Sequence, residues 1–363
     1  MNLFTSYAGR TPPAAVTKAN RIVAQVIAND AGPISPPDFC AAHSRAVSIG
    51  GGGNVGAGRF ARKGGNPRSF RASPELDQAT IGLAGDLIHD HGLGKGPATD
   101  IIAIGASATD IIGHTYGTSG SEMCINLVAL DKSLGQLFEL LDRERTDYLV
   151  VLTADHGGHD LPERLRQQSI PNAARIDASV SPEAIGGAIA KKLKLKVQPL
   201  HSRGLGDIWI DRTISAAARK KVLASAVAAY RAHPLVAAVF THAELARTPI
   251  SKNPPETWSL IERARASFYA PRSGDLYVAL KPYVTPIPDP SGGYVATHGS
   301  IWDYDRRVPI LFWRQGMARF EQPLSVPTVD IAPTLAGILK LPVESGAFDG
   351  QCRDLDAGEA STC

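Results

Sequence analysis

The sequence predicts an α/β fold carrying a large insertion, and three observations lead there. Leu127, Leu130, Leu134, Leu137 and Leu141 recur at three- and four-residue spacing, which marks Met123–Leu141 as an amphipathic helix. That helix lies between two short apolar runs, Asp100–Ile104 and Tyr148–Leu152, so strand, loop, helix and strand follow one another as a β-loop-α-β unit. Both runs are followed within a few residues by Asp and His side chains, and in open α/β sheets ligands bind beyond the carboxyl ends of the strands.

The remaining elements fall in place around that unit. Residues 1–75 are rich in Gly, Pro, Asn and Ser and hold one good helix pattern, Ala15–Ala28; a second helix is expected over Asp77–His91. Residues 160–295 read as an inserted, cap-like subdomain, with helices at Pro182–Leu193 and Ile214–Ala232 and strands at Leu235–Thr241 and Leu276–Leu280. The chain then returns to a core strand, Pro309–Phe312, and to a last helix entered at Asp330. The core is therefore expected to comprise 1–159 and 296–363. No internal repeat interrupts this order.

Composition excludes several classes of function. With 363 residues, 44% hydrophobic and 20% charged, the chain can bury a large core. A net charge of +3 is too small to argue for a nucleic-acid surface or an anionic membrane, and Lys191-Lys192 and Arg219-Lys220-Lys221 read as solvated helix faces. No apolar run reaches the roughly 18 residues of a spanning helix, and Met1–Tyr7 lacks the charged start and apolar core of a secretory signal. The cysteines, Cys40, Cys124, Cys352 and Cys363, lie far apart with no Cys-x-x-Cys pair. That argues against a thiolate zinc site and leaves disulfides, in any of three pairings, or free thiols.

The chemistry concentrates at three places. Asp155 and His156 stand side by side in Thr153-Ala154-Asp155-His156-Gly157, where an apolar strand opens into a loop; Asp110 and His114 are four apart; and His298 follows a Gly-rich turn in Thr297-His298-Gly299-Ser300. Carboxylate oxygen and neutral imidazole suit zinc and related divalent ions. Five such donors suffice for two ions about 4 Å apart in one cleft, a spacing that lets a metal pair polarise a phosphoryl oxygen while activating attacking and leaving oxygens. The division expected is Asp110, His114 and His298 on one ion and Asp155 with His156 on the other, which leaves the second ion short of protein ligands. His159 and Asp160 are candidates for supporting groups. Two other patterns fail: Gly51-x-Gly53-x-x-Gly56 has the letters of a dinucleotide loop but is followed by Arg59–Arg68, which cannot form the receiving helix, and Ser119 lacks the last glycine of a hydrolase elbow.

At these residues the chain resembles the alkaline phosphatase superfamily, in its type I phosphodiesterase and nucleotide pyrophosphatase branch, which includes bacterial alkaline phosphatases. The resemblance runs through SATDIIGHTYGTSGSEM (107–123), LTADHGGHDLPERL (152–165), RSGD (272–275), THGSIWDYDRRVPILF (297–312) and VDIAPTLAGIL (329–339). It implies a sandwich with a central mixed, mostly parallel sheet between helices, a smaller inserted subdomain, and a phosphoric ester hydrolase with two zinc ions. It places one zinc on Asp110, His114 and His298 and the second on Asp155 and His156. The substrate class implied is phosphate monoesters, with phosphodiesters or a non-catalytic zinc-binding role as alternatives, and the location is periplasmic or secreted. The family's first core strands, with a further metal-binding Asp and a Thr or Ser nucleophile, are not recognisable in this chain, which is therefore expected to be an N-terminally truncated form.

Overall fold

Helices dominate the first part of the chain because its apolar residues repeat at helical, not strand, spacing. The computed structural model describes residues 3–202, 206–355 and 362–363, and the chain divides into two units, Met1–Val150 with Asp289–Thr297, and Val151–Pro288 with His298–Cys363.

The first unit holds helices Ala14–Ala28, Glu75–His91, Ala108–Tyr116 and Ser121–Arg143. Glu75–His91 carries Glu75 and Asp77 in its first turn and His89 and His91 in its last, each sign matched to the helix dipole, and stops at Gly92 in the left-handed region. Ile81 and Ile88 from this helix pack with Leu137 and Leu141 of the longest helix. A second cluster joins Val23, Phe70, Leu76, Ala108, Ile112 and Met123, so the short helix Ala108–Tyr116 is gripped through Ala108 and Ile112. A disulfide from Cys40 to Cys124 ties the irregular early segment to the long helix.

One expected element is absent. Asp100–Ile104 has the composition of a strand, but it forms no ladder among the described residues, and Ile101 is 71% exposed. An apolar run becomes a strand only when a neighbour takes up its main-chain donors and acceptors. Residues 59–66 are likewise not helical, as expected from Gly64 and Gly65, so no dinucleotide helix directly follows the Gly51 loop.

Strand Val150–Thr153 pairs with Ile310–Trp313. A separate four-stranded sheet runs Leu200–His201, Asp207–Ile210, Leu276–Leu280, Val236–Thr241, with antiparallel neighbours throughout. Helices Pro182–Leu193 and Ala216–Arg231 lie against it; Ser181 and Ser215 cap their first turns by accepting from Ala184 and Ala218 N–H. Ile185, Ile189, Val222, Ala226 and Tyr230 of these helices meet Ile208, Leu276 and Val278 of the sheet in one buried cluster. The last helix, Ile331–Ile338, begins beside Asp330, which is buried and accepts from Gln351 N–H at 2.8 Å and Arg353 Nε at 2.6 Å. Cys352 and Cys363 close the second disulfide, so of the three pairings open to the sequence the structure holds 40–124 and 352–363. No helix among the described residues is long and apolar enough to cross a membrane.

Candidate metal centre

Helical periodicity creates the first pair of donors. Asp110 and His114 are one turn apart on Ala108–Tyr116, which puts their side chains on one face, and His114 Nε2 lies 3.4 Å from Asp110 Oδ1. His114 Nδ1 is 2.8 Å from the carbonyl oxygen of Ala296. A carbonyl only accepts, so Nδ1 carries the hydrogen and the lone pair of the neutral ring belongs to Nε2, on the side of Asp110. This is the arrangement in which a histidine is oriented as a ligand through its other nitrogen. The same turn is held a second time, by Val295 N–H donating to the His114 carbonyl at 2.7 Å. The helix ends at Gly117, whose φ of 85° lies in the region glycine favours.

The helix is also fixed at its start, by a residue that spacing does not reveal. Asp77, 1% exposed on the neighbouring helix, accepts the Ala108 N–H at 2.9 Å through Oδ1 and so caps Ala108–Tyr116 from outside. Burial pushes the Asp77 carboxyl up from its ordinary range, against amide bonds from Ala108 and Thr109 that pull it down. Asn126 adds a third tie, donating to Thr109 Oγ1 at 2.9 Å.

In the second unit the donors sit on loops. Asp155 and His156 follow the strand Val150–Thr153, with His156 Nε2 3.6 Å from the exposed Asp155 carboxylate. His156 Nδ1 faces the Gly157 carbonyl oxygen at 2.8 Å, so this ring too carries its hydrogen on Nδ1 and leaves Nε2 on the side of an aspartate. His298 stacks flat on His156, with ring centroids 3.4 Å apart and planes 9° from parallel. Gly157 is required by space, since a Cβ there would lie 2.2 Å from the Tyr304 carbonyl oxygen, and Gly299 by a φ of +99°.

His159 and Asp160, which follow that loop in the chain, are both buried. His159 is 5% exposed, meets Thr285 Oγ1 at 2.9 Å through Nε2, and is pushed below its ordinary pKa by burial, which keeps it neutral. Asp160 receives Arg164 Nη1 at 2.6 and 2.7 Å on its two oxygens. One supporting residue escaped the sequence reading: Asp305, buried at 4%, accepts the Ser300 N–H at 2.6 Å.

Asp110 and His114 belong to the first unit and His298 to the second. One carboxylate and two neutral imidazoles fit zinc and its neighbours.

Comparison with known proteins fixes the family. The Type I phosphodiesterase / nucleotide pyrophosphatase family matches residues 34–301, and the chain belongs to that family. It is 50% identical to alkaline phosphatase PhoK of Sphingomonas sp over 363 residues, 99% of this chain and 65% of that protein. It is 43% identical to alkaline phosphatase PhoD of Zymomonas mobilis over 354 residues, 97% of this chain and 61% of that one. The chain thus spans a little under two thirds of the length of these relatives. The crystal structure of wild-type alkaline phosphatase PafA superposes with a TM-score of 0.76 at 22% identity, covering 95% of this chain and 66% of the other, so the α/β fold is shared. The alkaline phosphatase resemblance carried by the five motifs is therefore the right one.

Proposed function

We propose that this chain carries the metal-binding part of a phosphoric ester hydrolase acting on phosphate monoesters. Asp110, His114 and His298 would hold one zinc ion, and Asp155 with His156 would contribute to a second. The observation that carries the reading is the repeated ligand geometry: His114 and His156 each commit Nδ1 to a carbonyl and keep Nε2 beside an aspartate. Bound zinc supplies a Lewis acid for a phosphoryl oxygen. The chain's own part is to orient the donors. Ala296 and Gly157 fix the tautomers, Asp77 fixes the helix that carries Asp110, and the stack of His156 on His298 fixes both ring planes.

Two features favour particular versions of this proposal. The alkaline phosphatase names of PhoK and PhoD favour monoesters, while the family's description favours diesters as the alternative. Two disulfides favour an oxidising compartment, the periplasm or the cell exterior. The test measures zinc content and the hydrolysis of p-nitrophenyl phosphate and bis(p-nitrophenyl) phosphate by the purified protein, with His114→Ala as control. Zinc retention by the wild type, lost with His114→Ala, together with faster monoester cleavage, supports the reading. A protein that takes up no zinc contradicts it, and a preference for the diester replaces the substrate class.

A further inference from the structure

Two loops of the second unit carry donors, 155–157 and 298–300, and neither is held by helical periodicity. Both are tied to one residue. The main-chain carbonyl of Asp305 accepts the Gly157 N–H at 2.7 Å, while its Oδ2 accepts the Ser300 N–H at 2.6 Å. The first bond adjoins His156 and the second lies two residues from His298, and these are the two rings that stack 3.4 Å apart.

The short segment Asp303–Arg306 that presents Asp305 is anchored on several sides. Trp302 Nε1 donates to the Leu280 carbonyl of the four-stranded sheet at 3.0 Å, the Tyr304 hydroxyl accepts the Tyr283 N–H at 3.1 Å, and the Arg306 guanidinium sits over the Trp258 ring at 5.1 Å. The absent Cβ at Gly157 completes the arrangement, because only glycine lets the 155–157 loop press against the Tyr304 carbonyl. Asp305 is also a poor choice for packing alone. It is buried, and its Oδ1 finds no hydrogen-bond partner among the described residues. A buried carboxylate with half its acceptors unused is disfavoured unless its charge or its geometry is needed elsewhere.

We infer that Asp305 is a positioning residue that clamps the His156 loop to the His298 loop and so sets the separation of their imidazoles for metal binding. This rests on the metal reading given above. Asp305 acts through the Ser300 and Gly157 amides. A carboxylate suits the task because a charge-assisted bond to an amide is short and strong.

The experiment compares Asp305→Ala, Asp305→Asn and Asp330→Asn, the last a buried aspartate of the same unit with main-chain and guanidinium partners but no donor loop. Amide hydrogen exchange at Ser300 is measured without metal, and zinc affinity by competition with a chromophoric chelator. Asp305→Ala is expected to release Ser300 exchange and weaken zinc roughly ten- to a hundredfold, the range for groups that orient ligands. Asp305→Asn keeps an acceptor oxygen and should recover Ser300 protection and most of the affinity, while Asp330→Asn should leave both at the wild-type level. Should Asp305→Ala fail to fold, Asp305→Glu replaces it: the charge stays but the oxygen moves by one methylene, and zinc should again weaken. Wild-type zinc affinity in folded Asp305→Ala or Asp305→Glu overturns the clamp while leaving the metal reading intact. A wild-type protein that binds no zinc sinks both.

Discussion

The donors on the helix Ala108–Tyr116 and those on the loops of the second unit reach similar geometry by different means. On the helix, four-residue spacing alone places Asp110 and His114 together, and the fold need only hold the helix at its ends through Asp77 and the Val295–Ala296 main chain. On the loops nothing local sets the distance between His156 and His298, which are far apart in sequence. Glycines at 157 and 299 and a shared carboxylate at 305 replace periodicity. Helical donors should therefore tolerate change in their surroundings, whereas loop donors should fail when a single contact is lost.

The sharpest test of the difference between the two units is their disulfides. Cys40–Cys124 closes a separation of 84 residues and Cys352–Cys363 one of 11. In the chain-entropy treatment these stabilise by about 4–5 and about 3 kcal/mol respectively. The double replacement Cys40→Ser/Cys124→Ser should thus lower the urea midpoint more than Cys352→Ser/Cys363→Ser, and the reverse order would show that the first unit does not depend on its staple. Next in size, Gly157→Ala forces a Cβ against the Tyr304 carbonyl and should destabilise by about 3 kcal/mol while weakening zinc, measured by denaturation and chelator competition. A fully stable Gly157→Ala protein would mean that the loop is not pressed where it lies.

Asp77→Ala should have a smaller effect, about 1–3 kcal/mol, because it strips the cap from Ala108–Tyr116 and leaves a buried amide unpaired. Its influence on zinc should be weaker than that of Gly157→Ala, since the i,i+4 pair survives; an equal loss would erase the distinction between helix and loop. The smallest effect is in pH dependence. The Asp77 carboxyl titrates above its unfolded value near 3.8, so the folded protein holds the proton more tightly. That contribution is fully present below the unfolded value and lost as pH rises through the folded one. Asp77→Asn should remove this component, so that wild-type stability relative to Asp77→Asn falls as pH climbs from 4. Parallel urea curves for the two proteins across that range would contradict the assignment.

The sequence was legible where a pattern is local. Helices Ala14–Ala28, Pro182–Leu193 and Ser121–Arg143 and strand Leu276–Leu280 lie within two residues of where periodicity puts them, because the apolar spacing that buries them is written in consecutive residues. The closeness of Asp110 to His114, and of Asp155 to His156, follows for the same reason. Asp100–Ile104 misled because strand formation depends on a neighbour, which a run of isoleucines does not specify. Asp77 and Asp305 stayed hidden for a related cause: each acts through a main-chain amide, the first on a helix 31 residues away and the second on another loop, and amides carry no side-chain signature. The YDRRVP stretch that contains Asp305 stood within a recognised motif, so a buried acid beside the His298 turn was the one available hint.

Zinc titration of the wild type against His114→Ala and His298→Ala tests most directly the proposed sharing of one metal ion by Asp110, His114 and His298. Tight zinc binding that either substitution weakens by at least tenfold, with the fold unchanged by circular dichroism, is the result expected. Zinc binding unaltered by both substitutions, or none in the wild type, would contradict it.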